Sequence, residues 1–463
     1  MDTCGIYIST IILAITLGIT IYITNSKLTK NNLTSFIITI GSIYFLKDYI
    51  AARAQLFTFI FFVLTIYFIE QFLITKKKRY AVGLIIIPIV IANTHVAVFP
   101  FYFVLYLPYI VEYIIYKLLH FKNVINNLKI KKINKKLENC DGEDKKIKLK
   151  DEIEKLQEMN LLSISQNEKR EKNAYKIKIS KNNNIKLLII IMLIGLFTGF
   201  ITPLGTTPYT YLAKTMKGNT TQNISEHLPL TLIDNKNYMI VLVMFITILT
   251  FTDAKIRLCD LFMLAGLTYL TFYTKRQETM FILICGFILN RLVCYLFNKY
   301  DSEGTKKIEM KMTKLLGMIT TISIVLTISI LNYKTKAKDK FVDKSSYPVM
   351  AADYILGHLN INEIKLYNEY NYGSYLLFRG IPVFIDSRAD LYSPEFNKDV
   401  NIFNDFLTIS GVDNDKIEEI LDKYGITHLI MYKDAKLRTF IKQDTEKYEK
   451  LYEDDYFCIY ERK

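Results

Sequence analysis

Polar side chains able to do chemistry lie beside long apolar stretches of this 463-residue chain. Three pairs stand near the ends of such stretches: Arg53 with Gln55, Asn93 with His95, and Arg276 with Glu278. An arginine presents a fork of donors that suits phosphate, and an imidazole or carboxylate can take the proton from an attacking hydroxyl. These residue types predict a site for a phosphorylated substrate.

The acid and base candidates are Glu226, in the motif Ile224-Ser-Glu-His, and His95. Simpler interpretations stay open for several of these residues. Arg53 and Arg276 also suit a membrane interface, where long basic side chains extend their apolar stems along the helix. His95 also suits a hydrogen bond between helices.

The apolar stretches that must position these residues predict a polytopic membrane protein. Hydrophobic residues make up 51% of the chain, charged residues only 22%, and the mean hydropathy is +0.18, which excludes an ordinary soluble protein. About ten membrane spans are predicted, at 4–25, 34–50, 55–74, 81–99, 100–119, 185–204, 238–253, 258–274, 278–298 and 312–332.

The charge distribution predicts how these spans are oriented. The net charge is +14, but the basic residues fall between the spans, so nucleic acid is not expected as a partner. The segment 120–184, between the spans of 1–119 and those of 185–335, holds 17 basic and 10 acidic residues and reads as a charged helical hairpin. Placing it in the cytoplasm puts the loop 205–237 and the candidate residues on the outer face of a plasma membrane.

Residues 345–463 have the composition of a small α/β domain, which the same orientation places outside the cell. The predicted strands are Ile364–Tyr367, Pro382–Ile385, His428–Met431 and Tyr456–Tyr460, and the predicted helices are Val349–Leu359, Pro394–Leu407 and Asp415–Tyr424. Asp386, Arg388 and Asp390 directly follow a predicted strand, where α/β sheets usually present ligand-binding side chains. The alternative is an Asp–Arg pair that closes a turn.

Short motifs in chain order resemble those of bacterial multi-spanning proteins related to the GT-C glycosyltransferases. The matching segments are Arg53-Ala-Gln-Leu-Phe-Thr, Ala92-Asn-Thr-His, Thr202-Pro-Leu-Gly, Ile224-Ser-Glu-His, Arg276, Asn368-Glu-Tyr-Asn-Tyr-Gly and Phe384-Ile-Asp-Ser-Arg-Ala-Asp-Leu-Tyr. The sequence departs from the family pattern where Ala54 replaces Pro, Thr202 replaces Asn, and His227 and Tyr372 replace Trp.

The resemblance implies a transferase that moves a sugar from a polyprenyl-phosphate donor to a glycan, lipid or protein acceptor on the outer face. Arg53 and Arg276 would hold the phosphate, Glu226 or His95 would be the acid/base, and Tyr372 with the outer domain would contact the acceptor. The family's first span and acidic outer loop find no match here, so we expect the chain to correspond to an N-terminally truncated member.

Other readings of the sequence also stay open. No cofactor is predicted, although some GT-C enzymes use a divalent cation. The alternatives to a transferase are a non-catalytic envelope assembly protein and a transporter or flippase for a lipid carrier.

Overall fold

The computed structural model describes residues 3–138, 143–173, 176–218, 223–233, 235–336, 342–398 and 400–463. The chain divides into two compact units. The first contains Met1–Tyr211 and Leu228–Thr313, and the second contains Leu212–His227 and Lys314–Lys463.

Helices build the first unit, apart from two short strands. In chain order its elements are α1 (Thr3–Thr29), α2 (Asn32–Leu46), α3 (Gln55–Thr75), α4 (Lys78–Thr94), α5 (Phe99–Val104), α6 (Leu107–Leu119), α7 (Phe121–Glu138), α8 (Glu143–Asn173), β1 (Ile177–Lys178), α9 (Ile185–Phe197), α10 (Thr207–Lys217), α11 (Lys236–Phe251), β2 (Ile256–Arg257), α12 (Leu258–Tyr273), α13 (Glu278–Tyr300) and α14 (Ser302–Thr313). Helix α10 ends in the second unit.

Five helical segments of the described residues are long and apolar enough to cross a membrane. They are Cys4–Thr29, Gln55–Thr75, Val96–Leu119, Lys275–Tyr300 and Leu315–Lys334. Three shorter apolar segments are Ile185–Phe200, Lys236–Phe251 and Leu258–Tyr273. Several apolar helices are therefore able to span a bilayer, as expected of a membrane protein. The count of about ten spans stays a prediction, because α4, at 17 residues, reaches only about 25 Å of the roughly 30 Å hydrocarbon core.

Helix α13 forms the centre of the first unit. Every residue from Glu278 to Asn290 is buried, so this part of the helix is covered on every side, as its mostly apolar sequence requires. Its one buried amide, Asn290, donates to Asn25 Oδ1 at 2.9 Å and to Ser35 Oγ at 3.2 Å. These bonds connect α13 to α1 and α2.

The basic segment forms the predicted helical hairpin from α7 and α8. Ile133 and Leu156 are buried, and Asn126 donates to Asn160 Oδ1 at 3.0 Å. After the hairpin, β1 pairs in parallel with β2. The Lys176 ammonium donates to the carbonyls of Thr250 and Thr252, at 3.1 and 2.9 Å, and so caps the C-terminal end of α11.

The second unit contains a four-stranded mixed sheet that is covered on both faces. The helices are α15 (Leu315–Lys336), α16 (Val349–His358), α17 (Tyr370–Phe378), α18 (Ile402–Gly411), α19 (Asn414–Tyr424) and α20 (Lys436–Ile441), and the strands are β3 (Leu366–Tyr367), β4 (His428–Tyr432), β5 (Tyr448–Glu453) and β6 (Phe457–Arg462). The strand order is β3-β4-β6-β5, with only the β3–β4 pair parallel.

Alternate residues of the central strands pack into two separate cores. Leu429 and Met431 pack beneath α18, α19 and α20, whereas Ile430 packs on the opposite face with α16 and α17. A strand covered on both faces is apolar throughout, which is why β4 was readily predicted.

Two sequence predictions for this unit were wrong, and helices α17 and α20 and strand β5 were not predicted. Pro382–Ile385 is irregular chain rather than a strand, because the Asn368 side chain takes the bonds that a neighbouring strand would make. Its Oδ1 accepts from the Phe384 N–H at 2.8 Å, and its Nδ2 donates to the Ile385 carbonyl at 2.8 Å. The helix predicted from Pro394 begins only at Ile402, where the Asn401 side chain caps it. Strand β5 was missed because its polar sequence does not resemble a buried strand.

Gly373 makes the close approach of α17 to the 384–386 segment sterically feasible. A Cβ at this position would lie 2.0 Å from the Ile385 carbonyl oxygen and 2.8 Å from Asn368 Nδ2. Because the first of these atoms is backbone, the clash is relieved only by moving the segment that Asn368 holds.

We therefore expect Gly373→Ala to destabilise the second unit by about 1–3 kcal/mol. Hydrogen exchange of the β4 amides in the full chain, followed by mass spectrometry, measures this loss. Gly357→Ala is the control, because a Cβ at Gly357 of α16 meets no atom within 4 Å. Unchanged β4 protection in the Gly373 variant would contradict the steric argument.

Candidate functional site

A cleft in the first unit lies where three helix ends converge. Helix α3 begins at Gln55, α4 ends just before His95, and the turn Lys275–Gln277 leads into α13. The cleft has an empty volume of about 350 Å³ including its open mouth. Its lining residues are Gln55, Thr58, Phe59, Phe62, His95, Val98, Phe101, Arg276, Gln277, Thr279 and Met280.

The cleft is polar on one part of its wall and apolar on another. His95 Nδ1 lies 2.7 Å from Thr58 Oγ1, so this bond orients the imidazole ring. Arg276 lies within electrostatic range of His95 and supplies a cation to the wall. Phe59, Phe62 and Phe101 provide the apolar part. The arrangement suits an amphipathic ligand with an anionic group next to a hydrocarbon chain.

Of the predicted site residues, the structure brings Gln55, His95 and Arg276 together in this cleft. Arg53 is exposed two positions before Gln55, outside the lining set. Asn93 is also exposed and donates to the carbonyls of Ile89 and Ile201, at 2.8 and 2.9 Å.

Two further predicted residues lie outside the lining set of the cleft. Glu278 is buried, and its carboxylate accepts from the Tyr49 hydroxyl at 2.9 Å. Glu226 belongs to the segment Leu212–His227, which is part of the second unit.

The predicted acceptor residues fall into a buried and an exposed group. Tyr372 and Asp386 are fully buried. The Tyr372 hydroxyl donates to the Ile430 carbonyl at 2.8 Å, and Asp386 Oδ1 accepts from the Arg388 N–H at 2.8 Å. These contacts give both residues a structural role inside the domain. Their contact with an acceptor stays a prediction, and their burial does not favour it.

Arg388 and Asp390 are more accessible. The Arg388 guanidinium pairs with Asp386 while more than half of the arginine side chain is exposed. Burial acts to raise the pKa of Asp386, but the hydrogen bonds from Arg388 outweigh it and lower that pKa. Asp390 accepts from the Thr215 hydroxyl at 3.3 Å. The Asp–Arg pair closes a turn, which was the alternative interpretation of this motif.

No group of three His, Cys, Asp or Glu side chains among the described residues is arranged to hold a metal ion. The described residues therefore do not fit the divalent cation that some GT-C enzymes use.

A cluster of charged side chains that the sequence analysis did not predict lies among the apolar helices. Arg257, just before α12, donates to Glu70 of α3 at 2.6 and 3.0 Å and to Asp260 at 2.7 Å. Arg291 of α13 donates to both Asp260 oxygens, at 2.9 and 3.0 Å. The Tyr109 hydroxyl of α6 donates to Glu70 at 2.8 Å.

Two guanidinium groups bond two carboxylates in this cluster, and the buried carboxylate of Glu112 lies within electrostatic range of Arg257. Such pairing is how charge is tolerated among apolar helices. A lone Glu70 in an apolar stretch was the available signal, because such a residue must find a partner. Its partner lies 187 positions away, so the sequence alone did not identify it.

A comparison with models of known protein families found no match, and no curated protein matches the sequence.

Replacing Glu70 by Gln leaves two guanidinium groups facing one carboxylate in the buried cluster. We expect this change to cost about 3–5 kcal/mol of stability. Heating the purified protein in detergent, followed by size-exclusion chromatography, reports the loss as a lower melting temperature. Glu303→Gln is the control, because Glu303 is 86% exposed and pairs with Lys307 only at 3.8 Å. Equal melting temperatures of the two variants would argue against a contribution of the cluster to stability.

Glu369, which caps α17, makes the stability of the second unit depend on pH. Burial, and then the nearby Asp434 carboxylate, raise its pKa from 4.5 to about 7. The folded state therefore binds more protons than the unfolded state between about pH 4.5 and 7. The resulting stability is fully present below about pH 4.5 and is lost as pH rises through about 7.

Hydrogen exchange of the β4 amides at pH 5.5 and at pH 8, corrected for the intrinsic exchange rates, measures this loss. The Glu369→Gln variant keeps a side-chain oxygen for the cap but no titrating group, so its protection should fall less from pH 5.5 to pH 8 than that of the unmodified protein. The same pH dependence in the two proteins would contradict the assignment.

Proposed function

We propose that the chain is a membrane glycosyltransferase of GT-C type that binds a polyprenyl-phosphate-linked sugar in the cleft at Arg276. The observation that carries the proposal is the convergence of Gln55, His95 and Arg276, from three distant parts of the sequence, on one amphipathic cleft. The motif resemblance had marked the same three segments independently of any structure. With the phosphate beside Arg276, the polyprenyl chain would pack against Phe59, Phe62 and Phe101.

The chemistry assigns one role to each polar residue. Arg276 would hold the phosphate and stabilise the charge that develops on it as the sugar–phosphate bond breaks. His95, oriented by Thr58, would take the proton from the acceptor hydroxyl as that oxygen bonds to the sugar carbon. Gln55 would position the sugar through hydrogen bonds. Arg388, which is exposed, and Asp390, which is partly buried, stay candidates for contact with the acceptor.

One observation favours a second candidate, a non-catalytic protein that binds a lipid phosphate in envelope assembly. Among the residues that the structure describes, those lining the cleft include no carboxylate, whereas GT-C enzymes use a carboxylate as the base. The cleft would then supply binding without sugar transfer.

Both candidate functions require the cleft to bind a lipid phosphate. Binding of a radiolabelled polyprenyl monophosphate to the purified full chain tests this requirement. Arg276→Gln should weaken binding at least about tenfold, because a charge-assisted contact to phosphate is lost. Lys275→Gln is the matched control, since it removes the same charge from the neighbouring position, which does not line the cleft. Equal binding by the two variants would contradict the phosphate role of Arg276.

Release of polyprenyl phosphate from hexosyl and pentosyl donors separates the two candidates. Under the transferase proposal, His95→Gln should keep polyprenyl-phosphate binding but lose about 100-fold or more in turnover. Tight binding without turnover of any donor by the unmodified chain would favour the non-catalytic candidate.

A further inference from the structure

Helix α7 presents an apolar stripe that its hairpin partner does not cover. Phe121, Ile125 and Leu128 follow one another at intervals of four and three, which places them on one side of the helix. Their side chains are between 36% and 59% exposed. The side of α7 that packs on α8 is a different one, marked by the buried Ile133.

The chain connection places this stripe next to the membrane. The candidate span Val96–Leu119 ends one residue before α7, with only His120 between them. If α7 continued straight out of the bilayer, Leu128 would lie about 14 Å beyond Leu119. The polar headgroup region is only about 5–7 Å deep on each side, so Ile125, about 9 Å beyond Leu119, and Leu128 would then stand in water. Lying along the surface instead buries all three side chains.

The charge of α7 indicates which surface it meets. The helix carries six lysines against a single glutamate. Lys122 and Lys129 directly follow Phe121 and Leu128, and Lys132 continues the spacing of the stripe. Lysines beside an inserted apolar stripe are typical of helices that bind anionic lipid.

We propose that α7 lies along an anionic lipid surface, with Phe121, Ile125 and Leu128 inserted among the headgroups and the lysines on the lipid phosphates. This surface is independent of the cleft and of any transferase activity. It would hold the base of the α7–α8 hairpin at the membrane.

The chain contains no tryptophan, so a single introduced one is a unique fluorescent probe. Ile125→Trp places it on the stripe, and Asn134→Trp, nine positions later, places it on the opposite side of α7 at another exposed site. Both full-length variants are reconstituted in vesicles of phosphatidylcholine with phosphatidylglycerol, and in phosphatidylcholine alone, with brominated acyl chains as quenchers.

We expect the I125W emission to be quenched at least about twofold more than that of N134W in the anionic vesicles, and less so in phosphatidylcholine alone. Replacing Lys122, Lys129 and Lys132 by Gln in the I125W chain should reduce quenching to the phosphatidylcholine level. Circular dichroism checks that each variant keeps its helices.

Three results would overturn the proposal. Equal quenching of the two tryptophan variants in anionic vesicles would show that the stripe does not enter the lipid. Quenching unaffected by phosphatidylglycerol and by the lysine substitutions would show that anionic lipid is not recognised. The I125W tryptophan could instead be shielded from water without being quenched by bromine. If that shielding disappeared when the protein was diluted into excess lipid, a second copy of the chain would be identified as the partner that covers the stripe.

Discussion

A charge among apolar helices is stable only when it is neutralised, and this constraint sets how the first unit is assembled. Glu70 meets the requirement through Arg257, Arg291 and Tyr109, which come from three other parts of the chain. Each contact fixes the rotation and depth of the helix that supplies it. Gln55 stands fifteen residues before Glu70 on α3, about 22 Å away along the helix axis, and Arg276 lies in the turn that leads into α13, the helix of Arg291. The pairing at one end thus aligns the cleft residues at the other.

The cleft combines its polar and apolar groups because helix ends and helix interiors meet there. His95 and Arg276 lie in short connections between α-helices, while the phenylalanines lie on α-helices. Such connections leave polar side chains without regular helical neighbours and therefore available to a ligand. Asn93 and Glu278 are close in sequence to lining residues but do not line the cleft. Asn93 bonds the Ile201 carbonyl and Glu278 bonds the Tyr49 hydroxyl, so both connect segments of the first unit.

In the second unit, packing explains motifs that the sequence had suggested for binding. Asn368 supplies the hydrogen bonds of a missing strand, and Gly373 makes room for the Ile385 carbonyl. Tyr372 donates to the central strand from a fully buried position. A motif such as Asn368, Tyr372 and Gly373 is therefore explained as well by the needs of tight packing as by contact with a ligand. The exposed guanidinium of Arg388 is the part of this motif that remains accessible.

The sequence by itself determined the apolar helices, the basic hairpin and most of the sheet, because hydrophobic periodicity and length act locally. Residue type and motif resemblance had singled out Gln55, His95 and Arg276, which line the cleft. The sequence did not determine the Pro382–Ile385 segment, since one distant side chain replaced the strand's partner. It did not reveal the cluster at Glu70, nor which polar residues face the cleft rather than a neighbouring helix. Only the tertiary structure decided these points, because hydrogen bonds and ion pairs between segments depend on side-chain positions that local sequence does not encode.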